Sequence, residues 1–177
     1  RYGWWSHDIG GHMFGYRNAE LEARWYQLGA FSAINRLHSS NSPISGKEPW
    51  NFYRDVSAAM VDALRLLHAM MPYLYTMNYR AAEAGRPLVE PMYWQNPDTP
   101  DAYEVPDEFR FGTELVVAPI VSPDDAAACR GRADAWLPQG EWFDFFDVRR
   151  YVSSDAAGRR LEVWRSLDRT PVFAKAG

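Results

Sequence analysis

Cysteine is almost absent from this chain of 177 residues, in which Cys129 is the only one. A single thiol permits no internal disulfide and no cysteine-based metal cluster. Positive charge is not in excess, since the chain has 19 Lys and Arg residues and 23 Asp and Glu residues, which gives a net charge of -4. The basic residues are scattered, which counts against nucleic acid as a partner. No apolar run approaches the roughly 20 residues needed to cross a bilayer, so no membrane partner is expected.

The composition is that of a globular protein, with 47% hydrophobic, 15% aromatic and 24% charged residues. The chain opens on Arg1 and ends at Gly177 without recognisable targeting signals, and we expect it to be a piece of a longer protein. The sequence therefore leaves both the cellular location and the oligomeric state open.

Residues 1–87 are predicted to alternate between strands and helices. Apolar runs at 2–7 and 30–34 predict two strands, and each is followed at once by a polar, glycine- or serine-rich loop. This alternation predicts parallel strands with helices packed outside them. Both loops then lie at the carboxyl ends of the strands, where such sheets carry their active sites.

The helical pattern at 18–28 carries its own start and stop signals. Asn18 is a candidate N-cap, and Gly29 is a candidate terminator. The apolar face of this predicted helix consists of Leu21, Trp25 and Leu28.

A longer apolar stripe with helical spacing follows. Pro72 interrupts it and predicts a kink or break, because proline lacks a backbone N–H and clashes with the preceding turn. The second piece is predicted to end at Ala84, before the stop signal at Gly85. His68 lies beside the stripe and is expected to be structural. The stripe consists of Val56, Met60, Leu64, Leu67, Met71 and Leu74.

Residues 88–177 show no long helical period and predict an antiparallel β-sandwich. Short apolar runs alternate there with turns that contain Gly, Pro or Asp. The domain boundary is therefore placed near residue 87, and without a flexible linker the two halves are expected to pack closely. The predicted strands fall at 88–94, 109–111, 115–118, 135–138, 141–145, 161–164 and 171–173.

The most unusual composition lies in residues 4–15. These twelve positions hold two Trp, two His, one Asp and three Gly. Aromatic faces beside a carboxylate and close-approach glycines suit a sugar, which has apolar C–H faces and a rim of hydroxyls. The alternative is a turn covered by tryptophan and closed by a helix-capping aspartate.

Asp8 and His38 stand at corresponding places, each where a predicted strand becomes a loop. Side chains at the ends of neighbouring parallel strands are expected to point into one pocket. Asp8 could accept hydrogen bonds from sugar hydroxyls, or it could form a structural salt bridge to Arg24 or Arg36. His38 could donate to a hydroxyl or orient a carboxylate, or it could simply be a packed histidine.

Neither a metal site nor a complete catalytic pair is predicted. His7, Asp8 and His12 lack the i, i+4 helical spacing of a zinc motif, and no metal or cofactor is expected. A glycosidase needs a second carboxylate near Asp8. Glu48 and Asp55 are available, but nothing in their sequence context marks either as an acid or a nucleophile. The residues alone predict a sugar half-pocket.

The segment from Ser6 to His12 resembles the Asp-Ile-Gly-Gly-Phe segment of glycoside hydrolase family 31, which contains α-glucosidases and α-xylosidases. Further blocks resemble the family in the same order along the chain. They are 24–31, 35–38, 48–50, 64–65, 71–75, 85–87, 111–115, 136–142 and 170–173.

This resemblance implies a (β/α)8 TIM barrel followed by a β-sandwich. The chain would hold the last two βα units of the barrel in residues 1–87 and the sandwich in 88–177. The family consists of retaining enzymes with two catalytic aspartates on earlier barrel strands, so the resemblance places no catalytic residue in this chain. The implied function is that of a fragment of a retaining exo-α-glycosidase, which acts on a small α-linked sugar and is inactive alone.

The resemblance also assigns substrate contacts. Asp8 and His38 match positions that line the sugar subsite beside the cleaved bond. His12 stands where most members carry an aromatic residue, usually Phe, and is expected to alter the sugar preference. Trp5 is a further candidate contact. The competing hypothesis is a non-catalytic carbohydrate-binding or structural module based on the aromatic-rich second half.

Overall fold

The computed structural model describes residues 4–11, 16–38 and 45–177. Its helices are α1 (Ala19–Ala30), α2 (Arg54–Ala69) and α3 (Met71–Ala84). The strands are β1 (Val89–Pro91), β2 (Phe109–Phe111), β3 (Leu115–Val117), β4 (Gly131–Leu137), β5 (Gly140–Asp144), β6 (Arg150–Ser153), β7 (Arg159–Arg165) and β8 (Val172–Lys175). Within the described ranges, no helix combines the length and the apolar character that a membrane span requires.

Two short segments near the start of the chain run parallel to each other, as predicted. Ser6 pairs with Ile34 and Ile9 pairs with Leu37 in parallel bridges. The predicted position of the second strand, at 30–34, is wrong, because the pairing begins only at Ile34.

Gly29 does not terminate α1, which continues through Ala30. A Cβ atom at Gly29 would lie 2.6 Å from the Ile9 Cδ1 atom. Glycine is therefore required here for close packing of the helix against the first parallel segment rather than for a helix end. The predicted cap at Asn18 is confirmed, since its Oδ1 atom accepts a hydrogen bond from the Leu21 N–H at 2.9 Å.

The predicted apolar face of α1 is wrong at Leu21, while Trp25 and Leu28 are half-buried. Leu21 is 51% exposed, whereas Ala23, Tyr26 and Ala30 are buried. The same helix buries polar side chains, of which Arg24 and Gln27 donate hydrogen bonds to the second half of the chain, while Glu22 pairs with Lys47. The buried polar residues of α1 are Glu22, Arg24 and Gln27.

The interruption of the long helical stripe is confirmed. Helix α2 ends at Ala69, and Pro72 occupies the first turn of α3, where its missing N–H costs no helical hydrogen bond. Gly85 adopts a left-handed conformation with φ of 64° and ends α3. His68 is exposed, and its Nδ1 atom lies 2.8 Å from the Leu64 carbonyl oxygen.

The second half is antiparallel throughout, as predicted. Six strands form one sheet in the order β1-β2-β3-β8-β5-β6, and β4 pairs with β7 in a second sheet. Val116 and Phe173 contribute to a core shared with β4 and β7, whereas Leu115, Val117 and Val172 join the core that contains the helices. The larger sheet is therefore covered on both faces, by the helices and by the β4–β7 sheet.

Two strand predictions require correction. Only Val89–Pro91 of the predicted strand at 88–94 is extended, and a 3-10 turn follows at Met92–Trp94. The strand β6 was not predicted, because Arg150–Ser153 pairs with β5 while its side chains remain mostly exposed and give no apolar alternation.

Candidate functional site

Asp8 and His38 meet at the carboxyl end of the two parallel segments. The Ile9 N–H donates to the Arg36 carbonyl at 3.2 Å, and the His38 N–H donates to the Ile9 carbonyl at 3.4 Å. This ladder places the His38 Nδ1 atom 3.6 Å from the Asp8 Oδ2 atom. The two side chains remain 41% and 47% exposed, so a polar ligand can reach both.

Arg36 shares the Asp8 carboxylate with His38. Its Nη2 atom donates to Asp8 Oδ1. Of the two salt-bridge partners proposed from the sequence for Asp8, the structure places Arg36 there, while Arg24 pairs with Asp124. An exposed ion pair contributes about 0–1 kcal/mol to stability. The pair thus contributes little to stability, but it orients the carboxylate. The other lone pairs of that carboxylate remain able to accept hydrogen bonds.

A chain of hydrogen bonds fixes the imidazole of His7, the residue before Asp8. The Trp25 Nε1–H donates to His7 Nδ1 at 2.8 Å, and His7 Nε2 lies 2.8 Å from Ser32 Oγ. The Ser32 hydroxyl in turn donates to the Leu28 carbonyl at 2.8 Å. These partners select the neutral tautomer with its proton on Nε2. Burial lowers the pKa of His7, and the nearby Asp8 charge opposes this effect only in part.

The turn after Asp8 rests on a buried ion pair. The Gly11 N–H donates to the Asp8 carbonyl at 2.9 Å, and Gly10 has φ of 87°. A Cβ atom at Gly10 would lie 2.3 Å from Glu22 Oε1, so only glycine fits above this carboxylate. Glu22 Oε2 lies 3.4 Å from Lys47 Nζ, and both side chains are buried.

This ion pair also connects the two loops of the candidate site. Lys47 follows the second loop in sequence, and its carbonyl accepts a hydrogen bond from the Tyr26 hydroxyl at 2.9 Å. Burial raises the pKa of Glu22, and the Lys47 ammonium partly offsets that increase. Helix α1 thereby supports the Gly10 turn and the segment around Lys47 from the same side.

Trp5 lines a cavity to which neither Asp8 nor His38 contributes. Trp5 is 65% exposed, and the cavity, which is apolar and has a volume of about 470 Å³, is also lined by His7, Trp25 and Phe109. His12 lies outside the described residues. Trp5 and His12 therefore remain predictions as substrate contacts.

The sequence interpretation missed the contribution of His7, which it considered only as a metal ligand. One available signal was the alternation of Trp5 and His7, which places both side chains on one face of an extended segment. Among the residues that the structure describes, no group of three or more His, Cys, Asp or Glu side chains is placed to hold a metal ion.

Comparison with known families identifies the origin of both halves. Residues 1–77 match the model of the glycosyl hydrolases family 31 TIM-barrel domain, and residues 85–177 match the glycosyl hydrolase family 31 C-terminal domain. The chain belongs to glycoside hydrolase family 31, as its sequence motifs predicted.

Individual relatives agree with this assignment. The chain is 34% identical to an alpha-xylosidase of Lactiplantibacillus pentosus over 98% of its own length and 22% of the relative. It is 30% identical to the neutral alpha-glucosidase C of Mus musculus over 96% of its own length and 18% of the relative. The chain thus spans about a fifth of the length of these relatives.

Solved structures show the same likeness. A Flavobacterium johnsoniae dextranase of the family, complexed with glucose, superposes with a TM-score of 0.82 at 28% identity, over 98% of this chain and 21% of that one. An alpha-xylosidase of the family from a soil metagenome, complexed with xylose, gives a TM-score of 0.78 at 26% identity, over 98% of this chain and 28% of that one.

Proposed function

We propose that this chain forms part of the sugar-binding subsite of a retaining exo-α-glycosidase that hydrolyses α-glucosidic or α-xylosidic bonds. The observation that carries the proposal is the placement of Asp8 and His38 at the carboxyl end of two parallel segments, 3.6 Å apart and both accessible. A carboxylate held between a guanidinium and an imidazole can accept hydrogen bonds from sugar hydroxyls, while the imidazole can donate one.

In this proposal residues 1–87 are the last two βα units of the barrel and 88–177 form the following sandwich domain. The catalytic nucleophile and acid/base are aspartates elsewhere in the intact protein. The two carboxylates that the sequence offered as partners for Asp8 are placed as follows: Glu48 accepts from Asn51 Nδ2 at 2.8 Å, and Asp55 is exposed in the first turn of α2. The 177-residue chain alone is therefore expected to show no turnover of an aryl α-glucoside, and measurable turnover by it would contradict this assignment.

The subsite is tested by replacing Asp8 in the intact enzyme. Asp8→Asn retains the shape of the side chain but removes its charge and two of its acceptor sites. We expect kcat/KM to fall about 100-fold, the range seen when one polar transition-state contact is lost. Asp62→Asn is the matched control, since Asp62 is an exposed carboxylate of α2 that pairs with Arg65. Equal kcat/KM values for the two variants would overturn the proposal.

His38, His12 and Trp5 are assigned by separate replacements in the same assay. His38→Ala is expected to lower kcat/KM on the same scale as Asp8→Asn, because the imidazole donor would be lost. His12→Phe is expected to change the ratio of kcat/KM values for aryl α-glucoside and aryl α-xyloside. Trp5→Ala is expected to raise KM, and an unchanged KM would remove Trp5 from the subsite.

A non-catalytic carbohydrate-binding role is the second candidate function, and the aromatic-rich second half favours it. Calorimetry of the intact protein with maltose distinguishes the two functions. Binding that persists unchanged in Asp8→Ala, together with unchanged turnover, would support the module rather than the subsite.

A further inference from the structure

A second cavity with aromatic walls lies at the junction between α3 and the first strand of the antiparallel half. Its volume is about 560 Å³, and it opens beside the Arg86–Pro87 connection that follows the end of α3. Neither Asp8 nor His38 lines it. All residues that line the cavity are in the described part of the chain.

Three partly exposed aromatic rings form its walls. The rings of Tyr93 and Tyr103 stack with centroids 5.0 Å apart and an interplanar angle of 11°. Trp94 adds an indole that is 45% exposed. The Tyr103 hydroxyl donates to the Pro97 carbonyl at 3.1 Å, which fixes that ring from its far end. The two tyrosine rings are thus pre-organised, so a ligand need not spend free energy in ordering them.

A buried carboxylate and an amide supply acceptors in the same cavity. Glu90 is 5% exposed, and its Oε2 atom accepts from Gln95 Nε2 at 2.6 Å. Its Oε1 atom lies 3.9 Å from Arg80 Nη2, which is an ion pair beyond hydrogen-bond distance. Because the Gln95 NH₂ group is directed to Glu90, the Gln95 carbonyl oxygen remains an acceptor for a ligand.

We propose that this cavity is a second carbohydrate-binding site, separate from the Asp8–His38 subsite, which holds an oligosaccharide; that the sugar is α-linked rests on the proposed function. Pyranose rings offer apolar C–H faces to the tyrosine and tryptophan rings and hydroxyl donors to the Glu90 and Gln95 acceptors. A proline-rich peptide also packs on aromatic walls, but proline has no N–H to offer those acceptors. The combination of stacked rings with buried acceptors therefore favours a sugar.

The experiment is equilibrium binding of maltotriose to the intact enzyme by calorimetry, in an Asp8→Ala background to weaken the first subsite. We expect one remaining site, whose dissociation constant rises about tenfold in Trp94→Ala, as loss of one aromatic platform predicts. Gln95→Ala provides a second variant that keeps the rings and removes only polar contacts, and it is expected to weaken binding as well. Tyr75→Ala is the matched control, because Tyr75 is a 76% exposed aromatic residue of α3 outside the cavity.

This second site goes beyond the proposed subsite, and the two can fail separately. Loss of kcat/KM in Asp8→Asn tests only the subsite, whereas the effect of Trp94→Ala on binding tests only the cavity. Absence of binding in the Asp8→Ala background, or equal affinities of Trp94→Ala and Tyr75→Ala, would overturn the second site. Binding of decaproline in place of maltotriose, weakened by Trp94→Ala, would also overturn it in favour of a peptide groove.

Discussion

At the scale of single residues, His7 shows how burial and hydrogen bonding fix a charge state beside the candidate subsite. In the folded protein the His7 Nδ1 atom accepts a hydrogen bond from Trp25, and His7 Nε2 lies next to Ser32 Oγ. Protonation of Nδ1 would break the hydrogen bond from Trp25. The pKa of His7 in the folded state is below the unfolded value of 6.5. Between the two pKa values the unfolded chain binds a proton that the folded chain rejects. The stabilisation is fully present above pH 6.5 and is lost as the pH falls through the folded pKa.

This effect predicts a specific pH dependence. The free energy of unfolding should fall below pH 6.5 by up to about 1.4 kcal/mol per pH unit. His7→Gln is expected to reduce this slope, because glutamine does not titrate, and urea unfolding at pH values from about 5 to 7.5 measures it. His68→Gln, at an exposed position, is expected to leave the slope unchanged. If His7→Gln and the unaltered protein show the same slope, the neutral tautomer is wrong.

Glu108, in the second half of the chain, has a pKa that burial raises, so its effect on stability depends on pH in the opposite direction from that of His7. Glu108 is 3% exposed, and both of its carboxyl oxygens lie 3.1 Å from the backbone nitrogen of Trp136. Burial raises the pKa of Glu108 to about 8, against the lowering by the Trp136 N–H and by Arg110 and Arg160. Its stabilising effect is fully present below the unfolded pKa of 4.5 and is lost as the pH rises through about 8.

Glu108→Gln should therefore stabilise the protein at the alkaline end of this window. The amide is uncharged at every pH, and its carbonyl can still accept from Trp136. We expect the difference in unfolding free energy between the variant and the unaltered protein to increase, in favour of the variant, by up to about 1.4 kcal/mol for each pH unit above 4.5. Urea unfolding at about pH 5 and pH 8 measures the difference. Glu83→Gln, at an exposed position of α3, should produce no such divergence, and parallel curves for Glu108→Gln would show that the carboxyl is ionised in the folded state.

At the scale of elements, glycine serves two different purposes at the ends of secondary structure. Gly10 and Gly85 both have positive φ, 87° and 64°. A Cβ atom at Gly85 would meet nothing within 4 Å, whereas at Gly10 it would collide with the buried Glu22 carboxylate. The Gly85 position therefore requires only the left-handed conformation, while Gly10 also requires the missing side chain.

The two glycines form a matched pair of substitutions. Gly85→Ala is expected to cost roughly 1–2 kcal/mol, which is the conformational penalty alone. Gly10→Ala is expected to cost more, because Glu22 and Lys47 must also move, and to lower kcat/KM by displacing the turn after Asp8. Thermal unfolding and steady-state kinetics of both variants in the intact enzyme measure these effects. Equal losses of stability with unchanged kinetics would mean that the ion pair does not support the turn.

The elements also show which features local sequence can predict. Asn18, Pro72 and Gly85 act through their own backbone geometry, so the sequence identified the cap, the break and the stop. Gly29 acts through a contact with Ile9, twenty positions away, and the sequence cannot distinguish that glycine from a helix terminator. The juxtaposition of Asp8 and His38 followed from parallel pairing, whereas the Glu22–Lys47 pair beneath Gly10 depends on tertiary packing that no spacing rule shows.

The buried face of α1 was the largest error for the same reason. Leu21 was expected inside because it is apolar, yet Arg24 and Gln27 are buried instead. Buried polar groups require specific partners, and here those partners lie more than a hundred residues away in sequence. Gln27 Nε2 donates to the Leu167 carbonyl at 2.7 Å. A periodicity argument cannot anticipate this contact.

At the scale of the whole molecule, Arg24 joins the two halves of the chain. Its Nη1 atom donates to the Arg169 carbonyl at 2.7 Å and to the Ser166 carbonyl at 3.2 Å. Its Nη2 atom donates to Asp124 Oδ1 at 2.9 Å and to the Arg165 carbonyl at 3.2 Å. The Arg24 side chain is only 4% exposed, so little water can reach the acceptors to replace its hydrogen bonds. One guanidinium thereby contributes four hydrogen bonds between the barrel half and the antiparallel half, in addition to that of Gln27 and to the shared apolar core.

Arg24→Met should weaken the attachment between the two halves without changing the volume of the side chain greatly. It removes the guanidinium donor from the Asp124 carboxylate and the Arg169 carbonyl, and we expect a loss of about 3–5 kcal/mol. Calorimetry should show the transition shifting to lower temperature and broadening or splitting, since residues 1–87 would lose four hydrogen bonds to the second half. Arg132→Met is the control, because Arg132 is exposed and pairs with Asp134 and Glu162 on the surface, where such pairs contribute about 0–1 kcal/mol. A single, unshifted transition in Arg24→Met would mean that apolar packing between the sheet and the helices, rather than this guanidinium, holds the two halves together.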